Sequence, residues 1–151
     1  MNNWQAADPD FKNRIIDSFQ RQPFMQTLGI ELVQIDSGYC EMKLPFKKEL
    51  TQQHGYFHAG TIATIADNSA GYAAFSLMQA TSSVLTVEFK VNLLSPGQGD
   101  FLLAKARVIK SGHTLKICQA EVFSEIEGKQ SLCAIAIISL MELENRSDQK
   151  N

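Results

Sequence analysis

Apolar and polar positions change their period several times along the chain, and each change marks an element. Phe11, Ile15, Ile16 and Phe19 recur at helical spacing, so a helix is expected from about Phe11 to Gln22. Asp8-Pro9-Asp10 introduces it and Pro23 interrupts it. One more helical turn, Phe24 to Leu28, precedes Gly29. Ile30 to Ile35 alternates in part, breaks at Asp36-Ser37-Gly38 and resumes from Tyr39 to Phe46, which predicts a β-hairpin. Glu49 to His58 reads as a polar loop, and a helix then fits Ala59 to about Met78. After a turn at Gln79 to Ser83 the pattern becomes that of strands: Val84 to Leu94, Phe101 to Lys110, Leu115 to Ile126 and Ser131 to Leu143. Short glycine-containing turns join the last three, so those strands must be antiparallel. One long helix between a leading hairpin and a run of strands has no second sheet to pack on. The sheet is therefore expected to curl around the helix, an α+β layout. Residues 1–151 form one domain in this reading, with 1–27 a helical lead-in and 144–151 a frayed polar tail.

Composition narrows the partners. Among 151 residues, 14 are Lys or Arg and 16 are Asp or Glu, for a net charge of -2. No basic footprint for nucleic acid is present. The longest basic run is the pair Lys47-Lys48, so a polybasic membrane patch has no support either. Met1 to Gln5 lacks the basic and apolar regions of a signal peptide. Cys40, Cys118 and Cys133 are odd in number, widely spaced and without a CxxC, and read as free thiols of a cytoplasmic protein.

The long helix carries the chemistry. Asp67 is the only formal charge between Glu49 and Glu88. A carboxylate on a helix otherwise free of charge is costly unless it is hydrogen-bonded or opens to a ligand channel. It caps a second helical segment beginning at Asn68, or bonds buried amides structurally, or serves as a general base or nucleophile. Gly60, Ala63, Thr64, Asp67, Ala70, Gly71 and Ala74 make one helix face small, open to close approach. His54-Gly-Tyr-Phe-His58-Ala-Gly60 opens the helix, where unpartnered backbone N–H groups suit an oxyanion or a polarised carbonyl. No Asp, Glu or Cys stands near the two histidines, so neither a metal nor a cofactor is called for. His58 and Asp67 are nine residues apart, or about 13 Å along a helix axis. One carbonyl cannot touch both. Either they serve different purposes, or two antiparallel helices from two subunits form composite sites.

These features together resemble a hotdog-fold thioesterase of the PaaI type. The run Gln52-Gln53-His54-Gly55-Tyr56-Phe57-His58-Ala59-Gly60, with Asp67 nine residues after His58, is similar to the family's helix-opening motif. Val84 to Gly97 resembles its first long strand, and Lys110-Ser-Gly112-His-Thr-Leu115 its next hairpin turn. The resemblance covers roughly residues 28–141. It implies hydrolysis of acyl-CoA by a homodimer or dimer of dimers with sites shared between subunits.

By that resemblance Asp67 activates water or attacks the carbonyl, and the Ala59 amide polarises the thioester oxygen. Gln52 lies near the thioester or lytic water, with Gln53 as its alternative, and Thr86 helps hold the water. His58, Gly60, Asn68 and Lys110 are further candidate substrate contacts, and Lys90, Arg107, Lys110 and Lys116 are the candidates for the CoA phosphates. Ala59 and Gln52 depart from the family's Gly and Asn. No Ser stands in a G-x-S-x-G, which removes the α/β-hydrolase triad. Tyr72 stands where a hotdog hydratase is expected to carry His. A noncatalytic acyl-CoA-binding domain is the alternative from another class.

Overall fold

The computed structural model describes residues 4–146 and residue 148. Helices α1 (Phe11–Gln20) and α2 (Pro23–Leu28) lead into strands β1 (Glu31–Asp36) and β2 (Tyr39–Pro45). A 3-10 turn at Lys48–Leu50 precedes the long helix α3 (Ala59–Phe75). Strands β3 (Ser83–Leu93), β4 (Phe101–Ser111), β5 (Leu115–Ile126) and β6 (Lys129–Leu143) follow. All six strands form one antiparallel sheet in the order β1-β2-β4-β5-β6-β3. The sheet wraps α3, which packs on every strand. This is the α+β hotdog architecture.

The sequence makes this wrap by placing small residues where helix and sheet meet. Burial alternates along β4 and β5, and Leu102, Ala104, Ala106, Cys118, Ala120 and Val122 face inward. Across the sheet Ala104 pairs with Val122, Ala106 with Ala120, and Ala120 with Ala136. Helix α3 answers with Ala66, Ala70, Ala73 and Ala74, all fully buried. Small side chains on both surfaces bring the backbones close, so that Cys118 Sγ lies 3.5 Å from the Ala70 carbonyl oxygen. Larger residues fill the ends of the helix, including Phe75 and Met78.

The C-terminal end of α3 is held by α1. The Arg14 guanidinium donates to the carbonyl oxygens of Phe75, Met78 and Gln79 at 3.2, 2.9 and 2.6 Å. It also lies 4.2 Å from the centroid of the Phe75 ring and 3.0 Å from Asp8. Carbonyls that a helix end leaves unpartnered are thus taken up by a cation.

The elements follow the sequence pattern with local corrections. Helix α1 ends at Gln20, not Gln22, because Pro23 drives Gln22 into an extended conformation (φ -87, ψ 103). Helix α3 ends at Phe75, not Met78. Leu77 and Met78 tighten onto the carbonyls three residues back, while Ser76 Oγ takes the Gly38 N–H. It also runs without a break through Asp67, so no second segment is capped at Asn68. Ile16 points outward instead of joining Ile15 in the core. Of the expected frayed tail, Asp148 is bound by Ser18 and Arg21, and 147 and 149–151 lie outside the described residues. No helix among the described residues is long and apolar enough to cross a membrane.

One ion pair lies inside this frame. Lys116 on β5 and Glu142 on β6 meet at 2.6 Å with side chains only 3% and 7% exposed. Glu142 also accepts from Ser82 Oγ and the Gln79 amide, which fixes the turn after α3. Burial alone raises the Glu142 pKa, but bonds from Lys116, Ser82 and Gln79 outweigh it and leave the group below the usual carboxylate value. A depressed folded pKa stabilises the fold above the ordinary carboxylate range and loses that contribution as pH falls through it. Lys116→Met should therefore cost about 3–5 kcal/mol at neutral pH in urea titrations. The deficit should shrink below about pH 4, where the wild type loses the pair too. A deficit independent of pH would show that packing, not charge, is what Lys116 supplies.

Candidate active site

Asp67 lies midway along α3, on the side turned toward the first residues of β3. Its Oδ1 accepts a 2.8 Å hydrogen bond from Thr86 Oγ1. No cation pairs with Asp67 among the described residues. The carboxyl pKa is raised, because burial disfavours the charge more than the Thr86 hydrogen bond favours it. A β-bulge follows Thr86 directly, with Thr86 opposite Leu140 and Glu88 opposite Ser139. Bulges re-aim side chains beside functional sites. Asp67, Asn68 and Thr86 open into a cavity of about 460 Å³, walled by Gly71, Val84, Leu85 and Leu140.

The N-terminus of α3 is built separately. His58 caps the helix, its Nδ1 accepting from the Gly60 N–H at 2.9 Å. The imidazole must be neutral with its proton on Nε2 to do so. The His58 carbonyl takes the amides of Thr61 and Ile62. Of the first-turn donors, the Ala59 N–H alone has no acceptor among the described residues. Ala59 and Gln52 share a groove of about 390 Å³ with Phe57, Ile62, Leu93 and Gly97.

Gln52 is locked in the preceding turn. Its side-chain oxygen accepts from the His54 amide and its backbone pairs with Tyr56 and Gly55. Its side-chain NH₂ is left to donate. Gln53 is exposed, and its amide nitrogen lies 3.5 Å from the His54 ring. His58 and Gly60 line a third cavity with Phe24, Leu28 and Thr64. Lys110 is exposed on β4 and lines none of these three cavities.

The chain thus brings together Asp67, Asn68 and Thr86 in one place, and Gln52 and Ala59 in another. The sequence pattern did not mark Ser18, Arg21, Gln22 and Asp148 as site residues, yet all four line the Asp67 cavity beside Tyr72. They come from α1, the turn that follows it and the C-terminal segment, and no local spacing connects them.

Comparison with known proteins identifies the family. A family model described as the thioesterase superfamily matches residues 54–130, about half of the chain. The chain belongs to the thioesterase superfamily. A crystal structure of a thioesterase family protein from Silicibacter pomeroyi is 42% identical and superposes with a TM-score of 0.88, covering 89% of this chain and 98% of that one. Human acyl-coenzyme A thioesterase 13 is 31% identical over 110 residues, 70% of this chain and 76% of its own. Acyl-coenzyme A thioesterase PaaI from Escherichia coli K12 is 26% identical over 124 residues, 81% of this chain and 80% of its own.

The Asp67–Thr86 bond has a measurable consequence. The hydroxyl stabilises the ionised carboxylate, so Thr86→Val should raise the Asp67 pKa further. Carboxyl-carbon NMR titration of wild type and variant reads this directly. A midpoint that stays put or falls in the variant would remove Thr86 as the partner that tunes Asp67.

Proposed function

We infer that the protein hydrolyses acyl-CoA thioesters, with Asp67 as base or nucleophile and the Ala59 amide polarising the thioester oxygen. The observation that carries this reading is Asp67 itself. It is half-buried, without a cationic partner among the described residues, bound by Thr86 and open to a cavity. A carboxylate kept for structure would be enclosed by donors. The names of the human and Escherichia coli relatives describe the same activity.

The chemistry requires little more. As base, Asp67 takes a proton from water held against Thr86, and the water oxygen bonds to the thioester carbon. As nucleophile, it forms an acyl-aspartyl anhydride that water then opens. In either course the carbon–sulfur bond breaks, the electron pair leaves with sulfur, and a proton ends on the CoA thiol. Charge on the carbonyl oxygen is met by the free Ala59 N–H at the positive end of α3. Thiolate leaves readily, so no strong general acid is needed. A carboxyl pKa raised by burial moves Asp67 toward the operating pH of a general base.

Asp67 and Ala59 open on different cavities of one chain, so the reading includes a second copy. Strand β3 supports this. Among the described residues it pairs only with β6, leaving its other edge free, and Leu85, Val87, Phe89 and Leu93 on it are each about half exposed. Thr86, at the start of β3, lines the Asp67 cavity, and Leu93, at its end, lines the Ala59 groove. Antiparallel pairing of β3 with its copy carries the start of one strand to the end of the other. Each Asp67 then faces the partner's helix end, giving two sites per dimer. Dimer pairs assembling further remain within the same scheme.

Asp67→Asn keeps the volume and removes the base, so thiol release from acyl-CoA should fall about 10²-fold or more with the fold intact by circular dichroism. Wild-type turnover in the pure variant would refute the assignment. The shared site is tested with Ala59→Pro. His58 already has the extended conformation (φ -63, ψ 142) that a following proline requires, and the first helical position tolerates it. A tagged heterodimer of Asp67→Asn with Ala59→Pro keeps one intact pairing, and should recover up to about half the wild-type rate from two inactive parents. A folded but inactive heterodimer would overturn the composite site.

A further inference from the structure

Strand β3 carries two charges that its own chain leaves unpaired. Glu88 and Lys90 are both exposed, and neither has an ion-pair partner among the described residues. Directly opposite them on β6 stand Ser139 and Ile137, which offer no charge.

The register with β6 shows which way they point. Opposed residues of an antiparallel pair share a face of the sheet. Phe89, Val91 and Leu93 stand opposite Ile138, Ala136 and Ala134, all fully buried, so these three belong to the inner face. Glu88, Lys90 and Asn92 therefore project from the outer face. The stretch from Glu88 to Leu93 begins after the bulge and runs without a further break.

Pairing β3 with a second copy of itself again requires opposed residues to share a face, so one residue must stand opposite its own copy. Centring on Glu88 sets Glu88 against Glu88, and centring on Lys90 sets Lys90 against Lys90. Like charges directly opposite are destabilising. Centring on Val91 faces Lys90 with Asn92 and carries Glu88 past Leu93, where the strand ends. Centring on Phe89 instead faces Glu88 with Lys90 of the partner subunit, twice per dimer, and stacks the two Phe89 side chains on the inner face. It also brings Thr86 level with Asn92 of the partner subunit, next to the Leu93 that lines the Ala59 groove.

We propose that β3 pairs with a second copy of this chain in the register that sets Phe89 opposite its own copy, and that Glu88 and Lys90 select that register. The proposal rests on the shared-site reading and specifies the surface that brings the two copies together. Lys90, one of the candidates for the CoA phosphates, is taken up in this pairing. Exposed charge pairs add little to affinity, but opposite charges in facing strand positions discriminate against every register that sets like charges together.

The test brings differently tagged full-length variants to equilibrium and reads the dimer populations by native mass spectrometry. Glu88→Lys and Lys90→Glu each turn both facing pairs of their own homodimer into like charges. Joined in a heterodimer, the same two variants face opposite charges at both pairs. The heterodimer should therefore exceed its statistical ratio to the homodimers by about 10-fold or more. Wild type with Lys90→Glu makes one attractive and one repulsive pair, the average of its parents, and should mix statistically. Glu31→Lys with Lys43→Glu changes the same charges at the opposite, β1–β2 side of the sheet and should also mix statistically. Statistical mixing of Glu88→Lys with Lys90→Glu overturns the proposal. So does a heterodimer excess between wild type and Lys90→Glu, which would set Lys90 opposite its own copy. An equal excess in the β1–β2 pair does so too, by leaving net charge as the cause. A wild type that stays monomeric at every concentration overturns instead the shared site on which the register stands.

Discussion

Close contact between a helix and a curved sheet is the constraint on which this molecule depends. It is met by alanine against alanine: Ala66, Ala70, Ala73 and Ala74 on α3 lie over Ala104, Ala106, Ala120, Ala134 and Ala136 of the sheet, all of them buried. Bulk on either surface would push the layers apart and open the ladder where β4, β5 and β6 bend. Interiors are packed as densely as organic crystals, so this region has little freedom to relax. A rigid seat for α3 means that the position of one carboxylate on it is also rigid. Catalytic groups work best when their supporting packing is fixed in advance.

The same burial explains the unusual state of Asp67. A helix enclosed on most sides has one stretch, facing the start of β3, where the sheet does not close over it. The bulge after Thr86 turns that hydroxyl onto the carboxylate, and the rest of the opening stays a cavity. At the N-terminus of α3 a different economy holds. His58 and the first-turn amides satisfy one another, and among the described residues only the Ala59 donor is left over. The two chemically unfinished points of the helix are the two that the proposed reaction needs.

Much of this was legible in the sequence because periodicity reports burial. Strand β5 alternates cleanly, and the short glycine turns around it allow only antiparallel neighbours. Asp67 stood out as the single charge in a long neutral stretch. Thr86 entered only through resemblance, since a strand threonine carries no signal of its own and its bulge is set by pairing with β6. The polar end of the cavity was not legible at all. Ser18 and Tyr72 are 54 residues apart and Ser18 and Asp148 are 130 apart, so only the fold makes them neighbours. Helix ends were misplaced by two or three residues where a proline or a serine side chain competes with the next helical bond.

Arg14 gives the long helix an electrical asymmetry. A helix ordinarily carries opposite partial charges at its ends, each felt chiefly within its own terminal turn. Here a guanidinium sits on the carbonyls of Phe75, Met78 and Gln79, so the negative end is neutralised by a fixed cation. The positive end at Ala59 has no matching acid in its first turn. Asp8 pairs with the same guanidinium at 3.0 Å, so that end of the helix closes on an ion pair, and the bias toward negative charge is left at the helix entrance alone. Helix α1 thereby leaves the entrance as the end of α3 still open to an incoming negative charge.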